Sequence, residues 1–316
     1  MPEMQVKTLF ISNRDDASVS YLIEKFTERC DRYLRIDSED ISLLNFRIDP
    51  EGHSLCCDQT QEYSLNKVHS ILFKRIPSKY DNPPGDENAP YLNNERKHFL
   101  EGLYLSLDKA KWINPMFATH IAERKLYQLK VASNIGLRIP KSLITNNLTQ
   151  AMEFLRGNKR SIIKPVSNGL QVIGERAYSI YTTEVDADHF GKLGLSDVFS
   201  TPVFLQARIP NKHDLRVTIV AETVFAVRIS KIGNEVDWRK PEIEKKYEPV
   251  TLPQALIGRL HRLMAHLGMV YAAIDLIETP DGDYIFLEIN PVGEWAWLEH
   301  ELGLNISEKI IDQLLL

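Results

Sequence analysis

Two acidic side chains and one amide lie inside apolar runs near the C-terminus. Glu288 and Asn290 are two positions apart in YIFLEIN, and Asp275 lies in the preceding run YAAIDLIET. Because side chains of a strand alternate between its faces, Glu288 and Asn290 share one face. A carboxylate in apolar surroundings needs a cation or a hydrogen-bond donor. These three residues therefore predict a site built from oxygen ligands.

The tetrapeptide PDGD separates the two apolar runs and determines which residues face each other. Asp-Gly between two β-rich runs predicts a hairpin. With Asp-Gly at the tip, or with all four residues in the loop, Asp275 falls opposite Glu288 and on the face of Asn290. Two facing carboxylates repel each other unless a proton or a cation lies between them.

Oxygen ligands of this kind suit Mg²⁺, with Mn²⁺ as the substitute ion, and phosphates and water complete the octahedron. The alternative is a solvated sheet face on which one carboxyl has a raised pKa. The flanking residues are too apolar for an exposed face. We therefore expect Asp275, Glu288 and Asn290 to bind the metal ion.

Magnesium held by carboxylates commonly accompanies a nucleotide phosphate, yet neither a GxxxxGK[ST] loop nor a GxGxxG fingerprint occurs. The sequence instead offers Lys164, which ends the apolar run SIIK. Glycines follow in the segment Ser167 to Gly174, which we expect to be a mobile lid above the phosphates. The alternative for Lys164 is an edge lysine whose ammonium reaches solvent.

Alternating and helical patterns predict a mixed α/β chain in which strands position these residues. Strands and two helices, VSYLIEKFTERC and NERKHFLEGLYLSL, form a first α/β unit over 1–115 that ends after the second helix. A second unit covers 116–205. The third, 206–316, is β-rich and contains the hairpin.

Composition excludes several classes of protein. The 316 residues are 43% apolar and 26% charged, with a net charge of −5 and no basic run, so we expect no nucleic-acid partner. Three cysteines, Cys30, Cys56 and Cys57, show no metal-ligand spacing and suggest a reducing compartment. No apolar run reaches the length of a membrane span. We expect a cytoplasmic protein without a membrane partner.

A set of short motifs resembles that of the ATP-grasp ligases from about Lys125 to the C-terminus. In order these are ERK, IIKP, FLQARI, DLRVTIV, AAIDL and FLEINP. The resemblance implies an α/β (α+β) ATP-grasp fold, with an N-terminal pre-ATP-grasp α/β domain, a central lid domain and a C-terminal β-rich domain. It also implies ATP and two Mg²⁺ ions.

The same resemblance assigns the nucleotide site. Lys125 and Lys164 bind the phosphates, and Gly169 belongs to the lid over them. Adenine is read by the hinge strand, at Gln206, Ala207 and Ile209. Many ATP-grasp enzymes carry glutamate where this chain has Gln206. The metal positions of the family match Asp275, Glu288 and Asn290.

Nearly the whole chain resembles the microviridin-type graspetide ligases, through FKRIP, VDWR and NPVGEWAWLEHELGL. These enzymes form side-chain ester or amide links in ribosomal peptides. The resemblance implies a precursor peptide with leader and core as partner, an acyl phosphate of a substrate Asp or Glu, and a homodimer. Glu294 occupies the position of the glutamine in NPxGQW.

Three polar residues are assigned to the chemistry. Asp214 and Arg216 share a face of DLRVTIV, and we expect Arg216 to contact the transferred phosphoryl group. Arg239 is the candidate clamp for the substrate carboxylate. The alternative for Arg239 is a surface ion pair with acids such as Asp237 and Glu242.

Two other functions remain open from the sequence. One is an ATP-grasp ligase that adds an amino acid to a peptide or protein terminus. The other is a nucleotide-binding module without turnover. For a peptide leader, we expect a docking surface at Thr223 to Trp238, taken as a hairpin with its turn at Gly233-Asn234, where Arg228 and Lys231 would pair with acids.

Overall fold

The computed structural model describes most of the chain. The described residues are 4–30, 32–50, 54–57, 61–74, 82, 85–158, 160–167, 169–173, 176–192, 201–233, 236–240 and 242–316. The helices are α1 Ala17–Thr27, α2 Ala89–Ser106, α3 Met116–Ala122, α4 Lys125–Asn134, α5 Leu148–Gly157, α6 Ala187–Lys192, α7 Gln254–Leu267, α8 Ala296–Leu302 and α9 Ile306–Leu315.

The strands run from β1 near the N-terminus to β19 before the last two helices. They are β1 Met4–Gln5, β2 Thr8–Ser12, β3 Tyr33–Asp37, β4 Asn45–Ile48, β5 Ser54–Cys57, β6 Glu62–Ser64, β7 Ser70–Phe73, β8 Lys111–Ile113, β9 Ser142–Thr145, β10 Ser161–Lys164, β11 Leu170–Ile173, β12 Arg176–Ser179, β13 Thr183–Val185, β14 Val203–Ala207, β15 His213–Val220, β16 Thr223–Lys231, β17 Lys245–Pro249, β18 Tyr271–Glu278 and β19 Tyr284–Asn290.

A parallel sheet with the order β3-β2-β7-β8 forms the centre of the first unit. Every residue of β2 is buried, as expected of a strand covered on both faces. Leu9 and Ile11 pack with α2 on one face. Phe10 points the other way and packs against Phe26 of α1, with ring centroids 5.2 Å apart. A smaller sheet has the order β1-β6-β5-β4. Its first strand precedes β2 in sequence, and the other three lie between β3 and β7.

Two smaller elements follow in the middle of the chain. The antiparallel sheet β13-β10-β14-β9 is covered by α5 and α6, which bury Leu155 and Phe190 against Leu205. Strands β11 and β12 pair with each other as a separate hairpin. The face of the four-stranded sheet that carries Lys164 and Gln206 lies toward the C-terminal unit.

A five-stranded antiparallel sheet with the order β17-β16-β15-β18-β19 forms the C-terminal unit. Val217 and Ile274 lie on the face that packs against α4 and α7. The opposite face carries Arg216 and Asp275, which are paired across β15 and β18. One strand pair therefore supplies both core and polar side chains. Within the described ranges, no helix has the length and apolar character required to cross a membrane.

The buried side chain of Asn114 joins the first unit to the five-stranded sheet. Its Nδ2 donates to the carbonyls of Tyr271, at 2.7 Å, and Pro291, at 3.2 Å. Its Oδ1 accepts from the amides of Val270 and Tyr271, at 2.8 and 2.9 Å. One side-chain amide thus satisfies backbone groups at the start of β18 and just after the end of β19.

We predict that Asn114→Ala lowers the free energy of unfolding by about 2–4 kcal/mol, because it leaves several buried backbone groups without partners. Urea unfolding followed by circular dichroism measures the change. Asn134→Ala is the control, since Asn134 is exposed at the end of α4, and its effect should stay within about 0.5 kcal/mol. Equal effects of the two changes would contradict the assignment.

Candidate active site

Strands β18 and β19 pair Asp275 with Glu288, as the sequence predicts. The loop differs from the prediction, however. Glu278 pairs with Tyr284, so the connection has the five residues 279–283 and not two or four. The register next to the loop is therefore one residue away from the predicted one.

A β-bulge at Leu287 restores the predicted pairing. The register shifts by one residue between Asp275 and Leu276, which leaves Leu287 as the extra residue. Without this bulge, Asp275 would face Leu287 and Glu288 would turn to the opposite face of the sheet. The bulge is thus what brings the two carboxylates together on the cleft side.

Arg216 lies beside Asp275 on the neighbouring strand β15. Its Nη1 donates to both carboxylate oxygens of Asp275, at 3.0 and 3.2 Å. Its Nη2 lies 3.4 Å from the carbonyl oxygen of Glu294. Within the described part of the chain, the buried Nε of Arg216 has no hydrogen-bond partner. The guanidinium is therefore held in place with one donor still unsatisfied.

Two lysines approach Glu288 from the central elements. Lys125 Nζ, at the start of α4, lies 3.7 Å from Glu288 and donates to the carbonyl of Pro165 at 3.0 Å. Lys164 ends β10, and its Nζ donates to Gln206 Oε1 at 3.0 Å. Burial lowers the pKa of Lys164 to about 8, with Glu288 opposing and Lys125 adding to the shift.

The facing carboxylates have opposite pKa shifts. Burial and the nearby Glu288 raise the pKa of Asp275, although Arg216 opposes the shift. For Glu288, burial also favours the protonated form, but Lys125, Lys164 and other cations outweigh it and lower the pKa. Of the two carboxyl groups, Glu288 therefore gives up its proton more readily, on the side where the lysines converge.

The predicted hinge residues lie at the end of β14. Gln206 is fully buried, and its Nε2 donates to Ser142 Oγ at 2.9 Å while its Oε1 accepts from Lys164. Both ends of this amide are thus engaged by the protein. Ala207 and Ile209 line the cleft beside it, so a base lying here would meet hinge backbone as well as the side chain of Ile209.

Gly169 is packed against the backbone of the segment that follows β12. Its carbonyl accepts from the amide of Ile180 at 2.6 Å, and a Cβ at Gly169 would lie 2.5 Å from the carbonyl oxygen of Ile180. Glycine is therefore required there by close approach. Of the predicted lid residues, Asn168 and Gly174 lie outside the described residues.

Asp214 lies on the cleft side of β15, but it is bound to a lysine. Lys231 Nζ lies 2.8 Å from its Oδ2, and Asn211 Nδ2 lies 3.3 Å away. Burial raises the pKa of Asp214, and Lys231 limits the shift. This ion pair fixes the geometry of the cleft wall.

Arg239 forms the ion pair with Asp237 that the sequence offered as its alternative role. Nε and Nη2 of Arg239 donate to the two oxygens of Asp237, at 2.8 and 2.6 Å. Asp237 also accepts from the amide of Thr182 at 3.1 Å. The side chain of Arg239 is still 50% exposed, and it lines the cleft. The pair is thus part of the site and not a remote surface contact.

An open cleft brings nearly all the predicted site residues together. Its lining includes Lys125, Lys164, Gly169, Gln206, Ala207, Ile209, Asp214, Arg239, Asp275 and Glu288. Arg216 and Asn290 are not among the lining residues, but Arg216 binds Asp275, and Asn290 follows Glu288 on the same strand. Among the described residues, no group of three or more His, Cys, Asp or Glu side chains is placed to hold a metal ion. The predicted metal set contains two carboxylates and an amide.

The predicted leader surface is wrong in its topology. Strand β16 is an inner strand between β15 and β17, and its hairpin turn lies at Ala221-Glu222, since Val220 pairs with Thr223. Of the predicted turn residues, Gly233 lies in the longer connection to β17 and Asn234 lies outside the described residues. The segment 223–238 is therefore not one hairpin.

The two cations assigned to the leader are also engaged within the protein. Arg228 binds Glu278 at 2.9 Å and Glu248 at 3.5 Å. Lys231 binds Asp214. Both predicted charges therefore stabilise the sheet and the cleft wall.

Sequence reasoning missed two residues that hold the site. Lys74 follows the strand Ser70–Phe73 and contacts the loop after β19, with Nζ 2.6 Å from the carbonyl of Val292. The amide of Gln128 on α4 bonds with both backbone groups of Ile289, at 2.8 and 3.1 Å. A signal for Lys74 was available, because SILFK repeats the pattern of an apolar strand ending in lysine that identified SIIK.

Comparison with known proteins confirms the predicted fold. No protein-family model matches the chain. Over 210 residues it is 25% identical to the alpha-aminoadipate–LysW ligase LysX of Sulfurisphaera tokodaii, covering 65% of this chain and 71% of that protein. The macrocyclase MdnC of Microcystis aeruginosa, solved with its precursor peptide MdnA, has a TM-score of 0.84 and 26% identity over 98% of this chain and 99% of that one.

A third solved structure has the same fold at lower identity. The ATP-grasp ligase PsnB, complexed with a phosphomimetic variant of its minimal precursor, Mg and ADP, has a TM-score of 0.80 and 19% identity, over 98% of both chains. The predicted ATP-grasp fold is confirmed by these matches. The chain is an ATP-dependent ligase, and the alternative of a binding module without turnover is not supported.

We predict that the affinity for ATP falls above pH 8 and is independent of pH between 7 and 8. At pH 7 the Lys164 side chain is a charged ammonium. Above its pKa of about 8 it is a neutral amine, which must take up a proton before it binds the phosphates of ATP. The expected loss is about tenfold per pH unit. Titration of ATP binding by calorimetry at several pH values measures it. Lys164→Arg keeps its charge and should abolish the dependence, whereas an unchanged slope in this variant would contradict the assignment.

We predict that Gly293→Ala impairs both stability and turnover. A Cβ at Gly293 would overlap that of Ala273 and lie 2.8 Å from Arg216 Nη2. The expected loss of unfolding free energy is about 1–3 kcal/mol, with a loss of ATP turnover. Gly258→Ala is the control, because a Cβ there meets no atom within 4 Å on helix α7. It should be neutral or stabilising, and the assignment fails if Gly293→Ala behaves likewise.

Proposed function

We propose that the chain is an ATP-dependent macrocyclase for a ribosomally made precursor peptide with leader and core. An Asp or Glu carboxylate of the peptide attacks the terminal phosphorus of ATP, and ADP leaves. A Ser, Thr or Lys side chain of the same peptide then attacks the acyl carbon, expels phosphate and forms an ester or amide link. The main support is the likeness to MdnC, which spans 98% of the chain and includes the N-terminal unit.

The residues of the cleft fit the phosphates of ATP and Mg²⁺. Lys125 and Lys164 present two ammonium groups beside Glu288, which suits a triphosphate. Asp275, Glu288 and Asn290 would hold two magnesium ions, with Mn²⁺ as the substitute. Bound Mg²⁺ neutralises charge that develops on the phosphate oxygens. The facing carboxylates of β18 and β19 supply the oxygen ligands that Mg²⁺ prefers.

Arg216 provides positive charge that stabilises the negative oxygens of the transferred phosphoryl group. It binds Asp275, and its buried Nε has no partner among the described residues. If Asp275 held a cation, the guanidinium would have further donors for phosphate oxygens. Fixed donors of this kind stabilise a transition state without reorganisation during the reaction.

Arg239 positions the peptide carboxylate for attack. Asp237 binds it through two hydrogen bonds, which orients the guanidinium while half of the side chain stays exposed to the cleft. Burial favours the protonated form of Asp237, yet Arg239 lowers its pKa, so the pair remains ionic at neutral pH. An oriented guanidinium binds a carboxylate with two parallel hydrogen bonds.

A second candidate is addition of an amino acid to a peptide or protein terminus. It is favoured by the likeness to LysX, whose name describes a ligase that joins alpha-aminoadipate to LysW. This reaction uses the same acyl phosphate but requires a free amino acid as the nucleophile. A macrocyclase requires only the precursor and ATP.

We predict that the short peptide encoded beside the gene loses one water per link when incubated with the protein, ATP and Mg²⁺. Mass spectrometry of the peptide measures the loss. A mass gain of one residue, seen only when free amino acids are supplied, would favour the second candidate. An unchanged mass under all these conditions would contradict both.

Glu288→Gln should lower this turnover by at least about 10²-fold, because the amide removes the charge that holds the cation. Glu278→Gln is the matched control. Glu278 is also a buried carboxylate of β18 paired with an arginine, but it lies outside the cleft lining. Its turnover should stay near that of the unaltered protein; equal loss in both variants would reject the assigned role of Glu288.

A further inference from the structure

A buried ammonium connects the N-terminal sheet to the loop that follows β19. Lys74 is 2% exposed, and its Nζ contacts three consecutive residues of that loop. It donates to the carbonyls of Val292, at 2.6 Å, and Gly293, at 3.2 Å, and to Glu294 Oε1 at 3.1 Å. It also lies 4.9 Å from the ring centroid of Trp295. Because a buried ammonium is costly without an anion, this contact set favours a carboxylate at position 294.

Glu294 also reaches Arg216 through its backbone. Its second carboxylate oxygen, Oε2, accepts a short hydrogen bond from Ser18 at the start of α1. Its carbonyl oxygen accepts from Arg216 Nη2 at 3.4 Å. One residue therefore contacts the N-terminal unit by its side chain and the phosphoryl-binding arginine by its main chain.

The backbone next to Glu294 has little freedom to move on its own. Tyr271 Oη donates to the carbonyl of Gly293 at 2.6 Å, and a side chain at Gly293 would overlap Ala273. Any displacement of this loop thus shifts the carbonyl that holds Arg216. The carbonyl that accepts from Arg216 thus belongs to a loop held by a charge pair with Lys74 of the N-terminal unit.

We infer that Glu294 is a positioning residue for the transfer reaction, and that its ion pair with Lys74 sets the orientation of Arg216. This inference rests on the proposed function. A glutamine at position 294 preserves size but presents an amide to the Lys74 ammonium. The loop then loses its charged anchor, and the carbonyl that accepts from Arg216 is no longer held in place.

The test is a double-mutant cycle with Glu294→Gln, Lys74→Met and both changes together. The rate is read as ADP formed per enzyme, with Mg²⁺ and the precursor peptide. Glu294→Gln should lower kcat about tenfold and leave KM for ATP within about twofold, since misplacement affects the chemical step more than binding. The double variant should be no slower than the slower single variant, because the two residues act as a unit.

Glu299→Gln is the matched control for a purely structural effect. Glu299 is another buried carboxylate, five positions further along, and it binds the amide and hydroxyl of Ser307 at 2.8 and 2.5 Å. Its replacement should lower the melting temperature without changing kcat below it. If Lys74→Met does not fold, Ser18→Ala provides the second arm of the cycle, because Ser18 binds the same carboxylate.

Additive losses in the cycle, or a lower melting temperature with unchanged kcat in Glu294→Gln, would overturn the inference. These outcomes are separate from failure of the proposed function. A protein that forms ADP but removes no water from the peptide would contradict the macrocyclase proposal alone. The cycle would still be measurable from the ADP formed.

Discussion

The repulsion between Asp275 and Glu288 is the constraint around which the cleft is built. Strands β18 and β19 place both carboxylates on one face, and like charges directly opposite each other destabilise a sheet. Compensation comes from different parts of the chain: Arg216 on β15, Lys125 at the start of α4 and Lys164 at the end of β10. The relative position of the central and C-terminal elements is thus coupled to the electrostatics of one residue pair.

The N-terminal sheet contributes to this site in an indirect way. In its order β3-β2-β7-β8 the chain moves first to one side of β2 and then to the other. Open α/β sheets usually bind ligands in the crevice at this point, beyond the carboxyl ends of the two central strands. Here Lys74, directly after β7, and Ser18, in α1 after β2, bind the loop at Glu294. In this protein the loop after β19 binds at this crevice, and the contact joins the N-terminal unit to the C-terminal unit.

Much of the fold and the candidate site was predictable from the sequence, because the informative residues lie on regular strands. Alternation placed Glu288 and Asn290 on one face, and the apolar run before Lys164 correctly predicted a strand that ends at the cleft. The pairing of Asp275 was predicted correctly although the loop was not. Two deviations of one residue each, in the loop and at Leu287, offset each other.

The remaining features depend on contacts between residues distant in sequence, and local patterns carry no information about these. Lys231 was predicted to pair with acids of a leader peptide, but it is bound by Asp214 from the adjacent strand. Gln206 looked available to a base, but its amide lies between Lys164 and Ser142. The Ala221-Glu222 turn was missed because it lacks glycine, and Ala221 adopts a positive φ of 49°.

The Leu287 bulge restricts where this hairpin can vary in length. A one-residue insertion or deletion within β19, between the turn and Glu288, would turn Glu288 to the opposite face of the sheet. The surface loop 279–283 can change length without this effect, because added residues there leave the strand pairing unchanged. Among homologous sequences, gaps are therefore expected in the loop and not between the bulge and Glu288.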